Sequence, residues 1–340
     1  MLRGAAAARP VRAALALAFT LALLLAAHAA RPAPAVAADP ATTDSALGID
    51  CLPVDGARFC AGALINRVPS WDGVPLDADV YLPPKGTPGP YPLIVGLHGF
   101  GVNKLLAFER PNEPFDYAKQ GYAVLAYSAR GLGLSCGVPV SRTPGCEKGY
   151  IRLADARYEG RDTQYLAGKL VDEGLVKPKR IGVTGSSYGG GQSLLLATLR
   201  NRTMLPNGDL VPFESPKGVP MEIAAAAPKI GWSDLAYALA PSGRTLDYRA
   251  NNPYGPGVGI VKYSYLQALF AAGLPGFYAL PGTDPEADII NWKAELDAGQ
   301  PYDPELIDHI RTQLQRYHSP YWLQRGLPEA ERIPPAPTIA

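Results

Sequence analysis

Histidine, cysteine and methionine are scarce in this chain (four, four and three residues of 340), and no run of lysine and arginine occurs. A formal charge of +1 without a basic run leaves nothing to hold a phosphate backbone, so nucleic acid is excluded as a partner. The cysteines fit no C-x2-C spacing, so no metal site is expected, and the lack of a phosphate-cradling loop or haem motif leads us to expect no cofactor. The longest leader-like apolar core, Ala13 to Ala27, is fifteen residues, short of the roughly twenty that a membrane-spanning helix needs, and no second apolar stretch of that length follows. Glycine and proline, by contrast, are abundant at 36 and 35 residues, with no Gly-X-Y period and no internal repeat, which implies many sharp turns between short elements. At 47% apolar residues the chain can bury a sizeable core, in one large domain or two small ones.

Residues 1–37 form a separate regime. Arg3, Arg9 and Arg12 precede an uncharged run from Ala13 to Ala27, and small-residue sites follow at Ala27-His28-Ala29 and Ala35-Val36-Ala37. This layout predicts a secretory signal peptide. A cut after Ala37 would leave a mildly acidic chain, secreted or in the cell envelope, with no membrane anchor. Cysteine usage agrees, because all four lie beyond the leader as two close pairs, Cys51 with Cys60 and Cys136 with Cys146. Two local disulfides are the simplest pairing in an oxidising compartment, although sequence alone cannot choose the connectivity.

From residue 38 to 230 the pattern is strand, glycine-rich turn and helix. Residues 56–65 and 75–83 alternate apolar with polar, as half-buried hairpin strands do. Short apolar runs at Leu93 to Leu97, Ala123 to Tyr127, Ile181 to Thr184 and Ile223 to Pro228 suit strands buried on both faces of a mostly parallel sheet. Helices are predicted at Asn112 to Gln120, Asp155 to Gly174 and Gly189 to Arg200. Strands alternating with helices predict an α/β fold. Residues 231–334, rich in tyrosine, tryptophan and proline, read as a helical cap with segments at Lys262 to Ala272 and Pro304 to Tyr317. Residues 335–340 read as the start of a further core strand.

The pentapeptide G-x-S-x-G occurs twice, and context separates the copies. Gly185-Ser-Ser187-Tyr-Gly189 follows the apolar run Ile181 to Thr184 and opens a leucine-rich helix. Strand, sharp turn and helix make a nucleophile elbow, with Ser187 as the candidate nucleophile and the helix N-terminus adding partial positive charge where an oxyanion would form. Gly133-Leu-Ser135-Cys-Gly137 is followed by Val-Pro-Val, where no helix can start, so Ser135 reads as a loop residue beside a cysteine. An oxyanion hole needs N–H donors. The N–H of Tyr188 is one candidate, and the turn His98-Gly-Phe-Gly101 offers that of Phe100 or Gly101. His98 precedes the nucleophile, whereas the order in such enzymes runs Ser, acid, His, so it reads as a brace for the loop. His309 and His318 fall in the cap and read as surface or packing residues.

These motifs carry a resemblance. Trp71-Asp-Gly-Val-Pro-Leu before a strand ending Val80-Tyr-Leu-Pro-Pro84, the turn at His98, Ala126-Tyr-Ser-Ala-Arg130-Gly-Leu-Gly-Leu-Ser-Cys-Gly137, and Gly185-Ser-Ser-Tyr-Gly-Gly190 together resemble the X-Pro dipeptidyl-peptidase and cocaine-esterase family of α/β-hydrolases over residues 60–340. One departure is Ser128, where that pattern has an aspartate. The resemblance implies a Ser-His-Asp hydrolase that removes Xaa-Pro dipeptides or cleaves small acyl esters. In the family order the acid and base would lie beyond residue 340, so a truncated form with doubtful activity is expected, its sheet incomplete at the C-terminal end. A catalytically silent binding protein on the same fold is the alternative. A dipeptidyl-peptidase would need an acid for the substrate amine, and Asp234, Asp247 and Glu286 are candidates without distinguishing context. Asn201-Arg-Thr203 matches a glycosylation sequon.

Overall fold

The computed structural model describes residues 39–241, 261–299, 301–325 and 327–339. The predicted leader with His28, and Asp247 of the cap, lie outside the described residues. One sheet contains eight strands: β1 (Ser45–Ala46), β2 (Ile49–Val54), β3 (Ala57–Cys60), β4 (Ala78–Leu82), β5 (Tyr91–Leu97), β6 (Ala123–Tyr127), β7 (Val176–Ser186) and β8 (Ile223–Lys229). Their spatial order is β1-β2-β3-β4-β6-β5-β7-β8. Strands β6, β5, β7 and β8 pair in parallel. The remaining pairings, from β1 through β4 to β6, are antiparallel. The sheet is therefore mixed, an α/β-hydrolase architecture whose parallel part is confined to the half that carries the candidate site.

Connection chemistry explains this division. Asp55 and Gly56 both have positive φ (45° and 74°), the two-residue turn that joins antiparallel strands, so β2 must fold back on β3. Cys51 stands opposite Cys60 in that register, and the two are bonded. The sequence reading had no strand at β2. Parallel neighbours need long crossovers, and these contain α1 (Glu113–Lys119), α2 (Arg161–Asp172) and α3 (Tyr188–Leu199). Strand β4 is wholly buried, not half-buried as its alternation predicted. Val80 and Leu82 enter the main core while Tyr81 packs with Ala118 of α1 and Val124 of β6 on the opposite face.

The described α-helices of residues 231–334, the expected cap, are α4 (Leu235–Leu239), α5 (Tyr263–Gly273), α6 (Ile289–Ala298), α7 (Pro304–His318) and α8 (Pro320–Arg325). Leu235, Trp292, Ile310 and Leu314 of these helices share one apolar cluster with Leu132, Ile151 and Tyr188 of the core. After the cap the chain returns to the sheet. Thr338 bridges Ala226 of β8 in parallel, with Ala226 N–H donating to the Pro337 carbonyl (2.9 Å) and Ile339 N–H to the Ala226 carbonyl (3.0 Å). Among the described residues no helix is long and apolar enough to cross a membrane.

Candidate active site

Strand β7 ends at Ser186 and α3 begins at Tyr188, so a single residue, Ser187, turns the chain. Its backbone sits at φ 56° and ψ −110°, a left-handed conformation that costs a non-glycine residue about 1–3 kcal/mol. Two hydrogen bonds hold it there: Ser187 N–H donates to the Lys229 carbonyl of β8, and Gly191 N–H to the Ser187 carbonyl, each 2.9 Å. The serine is exposed while Tyr188 behind it is buried. Flanking glycines permit the close approach. A Cβ on Gly185 or Gly189 would come within 2.4 Å or 2.0 Å of the Leu97 carbonyl oxygen, a backbone atom that cannot yield. The N-terminus of α3 thus points its partial positive charge at the serine.

Parallel pairing brings the second turn alongside. Leu97 of β5 stands opposite Gly185 of β7, so the turn from His98 to Gly101 leaves the sheet beside the elbow. His98 is fully buried and braces this turn. Its Nε2 accepts from Ala129 N–H (2.9 Å), which leaves Nδ1 to donate to the Gly99 carbonyl (2.7 Å). Burial pushes its pKa down to about 4, so the ring stays neutral. No hydrogen bond within the described residues engages the N–H of Phe100, Gly101 or Tyr188. The Phe100 ring lies 5.2 Å from that of Tyr188. Gly101 has φ 78° and sits under α5, where a Cβ would meet the Ala272 carbonyl at 2.4 Å.

Ser187, Tyr188 and Phe100 line one cavity of about 590 Å³, whereas Gly101 does not. The other walls come from Leu153, Ile230, Trp232 and the cap, notably Leu266, Phe270 and Trp292. Ile230 adopts φ 50° and is 87% exposed, both unfavourable for a β-branched apolar side chain. Asp297 is the one carboxylate among the described lining residues, and it pairs with Lys293 and accepts from Gln267 Nε2.

Other residues singled out in the sequence are engaged in contacts of their own. Ser135 is fully buried, its hydroxyl donating to the Ser128 carbonyl (2.6 Å) and accepting from Asp77 N–H (2.8 Å). The neighbouring Cys136 is bonded to Cys146. Ser128 lies beside Asp77, whose carboxylate, with that of Asp79, holds the buried Lys104 ammonium at 2.7 Å and 2.6 Å. Two carboxylates therefore already offset Lys104 where an aspartate at 128 would add a third. Arg130 is fully buried between Asp162 and Asp72 (2.6 Å and 2.8 Å). Asp234 caps α4 through Tyr237 N–H and accepts from Trp322 Nε1, while Glu286 pairs with Arg157. Nε2 of His309 contacts the Pro285 carbonyl at 2.8 Å. His318 is buried, its Nδ1 2.7 Å from the Leu153 carbonyl.

Residues 72–205 match the X-Pro dipeptidyl-peptidase (S15 family). No curated protein matches the chain. Solved structures similar to it include an acetyl xylan esterase from Paenibacillus sp. R4, at 20% identity over 80% of this chain and 67% of that one, with a TM-score of 0.38. A CocE/NonD family hydrolase from Staphylococcus aureus is 17% identical over 61% of this chain and 35% of its own, with a TM-score of 0.37. A post-proline cleaving enzyme from Rickettsia typhi is 19% identical over 50% of this chain, with a TM-score of 0.35, and the chain spans only 21% of its length.

Two features of the site escaped sequence reading. The apolar cavity is built from residues on the core and on the cap, with no shared local pattern. Glu159, inside the predicted helix from Asp155 to Gly174, is fully buried and receives the Tyr188 hydroxyl at 2.7 Å. A helical stretch of alternating charge and apolar residues gives no signal that one of its acids faces inward.

Proposed function

We propose that this protein is an extracytoplasmic serine hydrolase in which Ser187 attacks the carbonyl carbon of an ester with an apolar acyl group. The observation that carries this is the exposed serine, held in a strained strand-to-helix turn and opening on an apolar cavity. In the step assigned to it, Oγ forms a bond to the carbonyl carbon as its proton passes to a base. Negative charge collects on the carbonyl oxygen beside the N–H groups of Tyr188 and Phe100, and the carbon–oxygen bond then breaks as the base returns the proton to the departing alcohol. Water hydrolyses the resulting acyl-serine. We assign no base, because both ring nitrogens of His98 are engaged and no described histidine lines the cavity.

An ester is favoured over a dipeptide with a free amine by the lining itself. The Asp297 carboxylate is already paired, and Asp234 and Glu286 are committed elsewhere. Two local disulfides and the leader-like N-terminus support an oxidising, extracytoplasmic setting. The test is covalent labelling by a fluorophosphonate, which needs the nucleophile, a base to take its proton and the oxyanion donors, but no turnover. Labelling of wild type that is lost in Ser187→Ala is the expected result. A folded protein that never labels would establish the silent binding protein instead. p-Nitrophenyl hexanoate against an Xaa-Pro-p-nitroanilide then separates ester from peptide substrates.

A further inference from the structure

Behind the elbow lies a buried polar cluster that the nucleophile assignment does not use. Glu159 sits on a single π-helical turn, Ala156–Gly160, of the kind that recurs near functional sites. Its carboxylate is shut off from solvent yet receives three donors: the Tyr188 hydroxyl at 2.7 Å and Arg152 N–H at 3.3 Å on Oε1, and Asp155 N–H at 3.1 Å on Oε2. The Tyr188 hydroxyl in turn accepts from Ala154 N–H at 2.7 Å. Leu153 and Ala154 between these donors both have positive φ, 56° and 63°. Two consecutive strained residues persist only where the surroundings hold them, and here three N–H groups of one short turn converge on Glu159 and on the hydroxyl it binds. Leu153 is also a wall of the cavity, as is Tyr188, the residue whose backbone N–H the proposed function takes as an oxyanion donor.

We propose that Glu159 is a positioning residue for acyl transfer at Ser187: through the Tyr188 hydroxyl and the Arg152–Asp155 turn it fixes the Tyr188 N–H against the carbonyl oxygen of the substrate. Among the described residues, the carboxylate is the only hydrogen-bond partner of the Tyr188 hydroxyl that can accept its proton. Releasing it frees the ring to tilt between Phe100 and Trp232, and the first turn of α3 tilts with it. The proposal rests on Ser187 being the nucleophile, and the experiment separates the two.

Fluorophosphonate labelling is measured as a function of probe concentration, giving kinact and KI, for wild type, Ser187→Ala, Tyr188→Phe, Glu159→Gln and the Tyr188→Phe/Glu159→Gln double variant. Near-UV circular dichroism checks that each is folded. Misplacing an oxyanion donor is expected to lower kinact about 10-fold in Tyr188→Phe and in Glu159→Gln with KI within about two-fold of wild type. The double variant should be no slower than the slower single one, since Tyr188→Phe removes the hydroxyl and Glu159→Gln sets an amide donor where one of the carboxylate oxygens accepted, so both disturb the same linkage. A purely structural role would lower stability and leave kinact of the folded protein unchanged, which overturns the proposal while Ser187 stands. Should Glu159→Gln fail to fold, Tyr188→Phe decides alone, because it removes one oxygen atom, and an unchanged kinact again overturns the proposal. Labelling that survives in Ser187→Ala, or never occurs in wild type, removes the nucleophile and this proposal with it.

Discussion

Replacing Arg130 by methionine tests whether the Arg-Gly loop is structural. The guanidinium is fully buried and makes two bonds to Asp162, from Nε (2.7 Å) and Nη2 (2.6 Å), two to Asp72, from Nη1 (2.8 Å) and Nη2 (3.3 Å), and one from Nη1 to the Lys148 carbonyl (3.3 Å). Trp71 and Tyr158 flank it with ring centres 5.9 Å and 5.4 Å from its central carbon. Methionine retains the stem but leaves the Asp162 carboxylate with the Ser70 hydroxyl as its remaining side-chain partner and no countercharge. Breaking a buried ion pair from one side costs about 3–5 kcal/mol. Asp162 can escape part of this by binding a proton. Burial already holds its pKa above the usual aspartate range against the pull of Arg130, and the pKa rises further without the arginine. A folded-state pKa above the unfolded one means that the proton-linked stability is complete below the unfolded value and is lost as pH rises through the folded value. The variant should therefore be destabilised more at pH 8 than at pH 4.5, by up to about 1.4 kcal/mol for each additional unit of pKa shift. Urea unfolding of both proteins at the two pH values measures this. A loss under about 1 kcal/mol, or one independent of pH, would refute the view that this buried set anchors the loop.

Three further outcomes are expected. Gly189→Ala places a methyl group on the Leu97 carbonyl and should displace the elbow, cutting fluorophosphonate labelling by about 10-fold or more, as a near-ångström shift of a reacting group does. Removing the Cys136–Cys146 bridge by double serine substitution, a sequence separation of 10, should cost about 2–3 kcal/mol in thermal or urea unfolding and make the protein insensitive to reductant at that loop. Burial raises the Glu159 carboxyl to about 7, with Arg130 favouring its charge and Asp155 opposing it. Its contribution to stability is therefore complete below about pH 4.5 and is lost as pH rises through 7, by about 3 kcal/mol. Glu159→Gln should flatten that part of the stability curve, and an unchanged curve would show that Glu159 does not titrate there.

How much was legible follows from where each feature is encoded. The elbow is written in contiguous residues: an apolar strand, glycines on either side of a serine and a leucine-rich helix, so both its place and its geometry could be read from residues 181–199. Rejecting Ser135 needed only the proline after it. The paired cysteines likewise joined as local loops, because short separations favour their own closure. Strand β2 is not legible in the sequence because Asp50 and Pro53 interrupt its apolar pattern, leaving the Asp55-Gly56 turn without a strand pattern before it. Full burial of β4 could not be read from its alternation, since α1 comes from a later segment to cover the second face.

Sequence by itself determined the apolar strands of the parallel half with the helices between them, the closeness of the paired cysteines and the serine at the turn, because each depends on neighbours a few residues away. Tertiary structure alone decided that the sheet is mixed, that the cap residues and Ser187 enclose one cavity, and that Arg130 and Glu159 are buried partners of residues 32 and 29 positions away. The physical reason is that a buried charge is tolerable only when packing brings its countercharge or its donors to it. That pairing is set by the crossing of distant segments and leaves no periodicity in the chain.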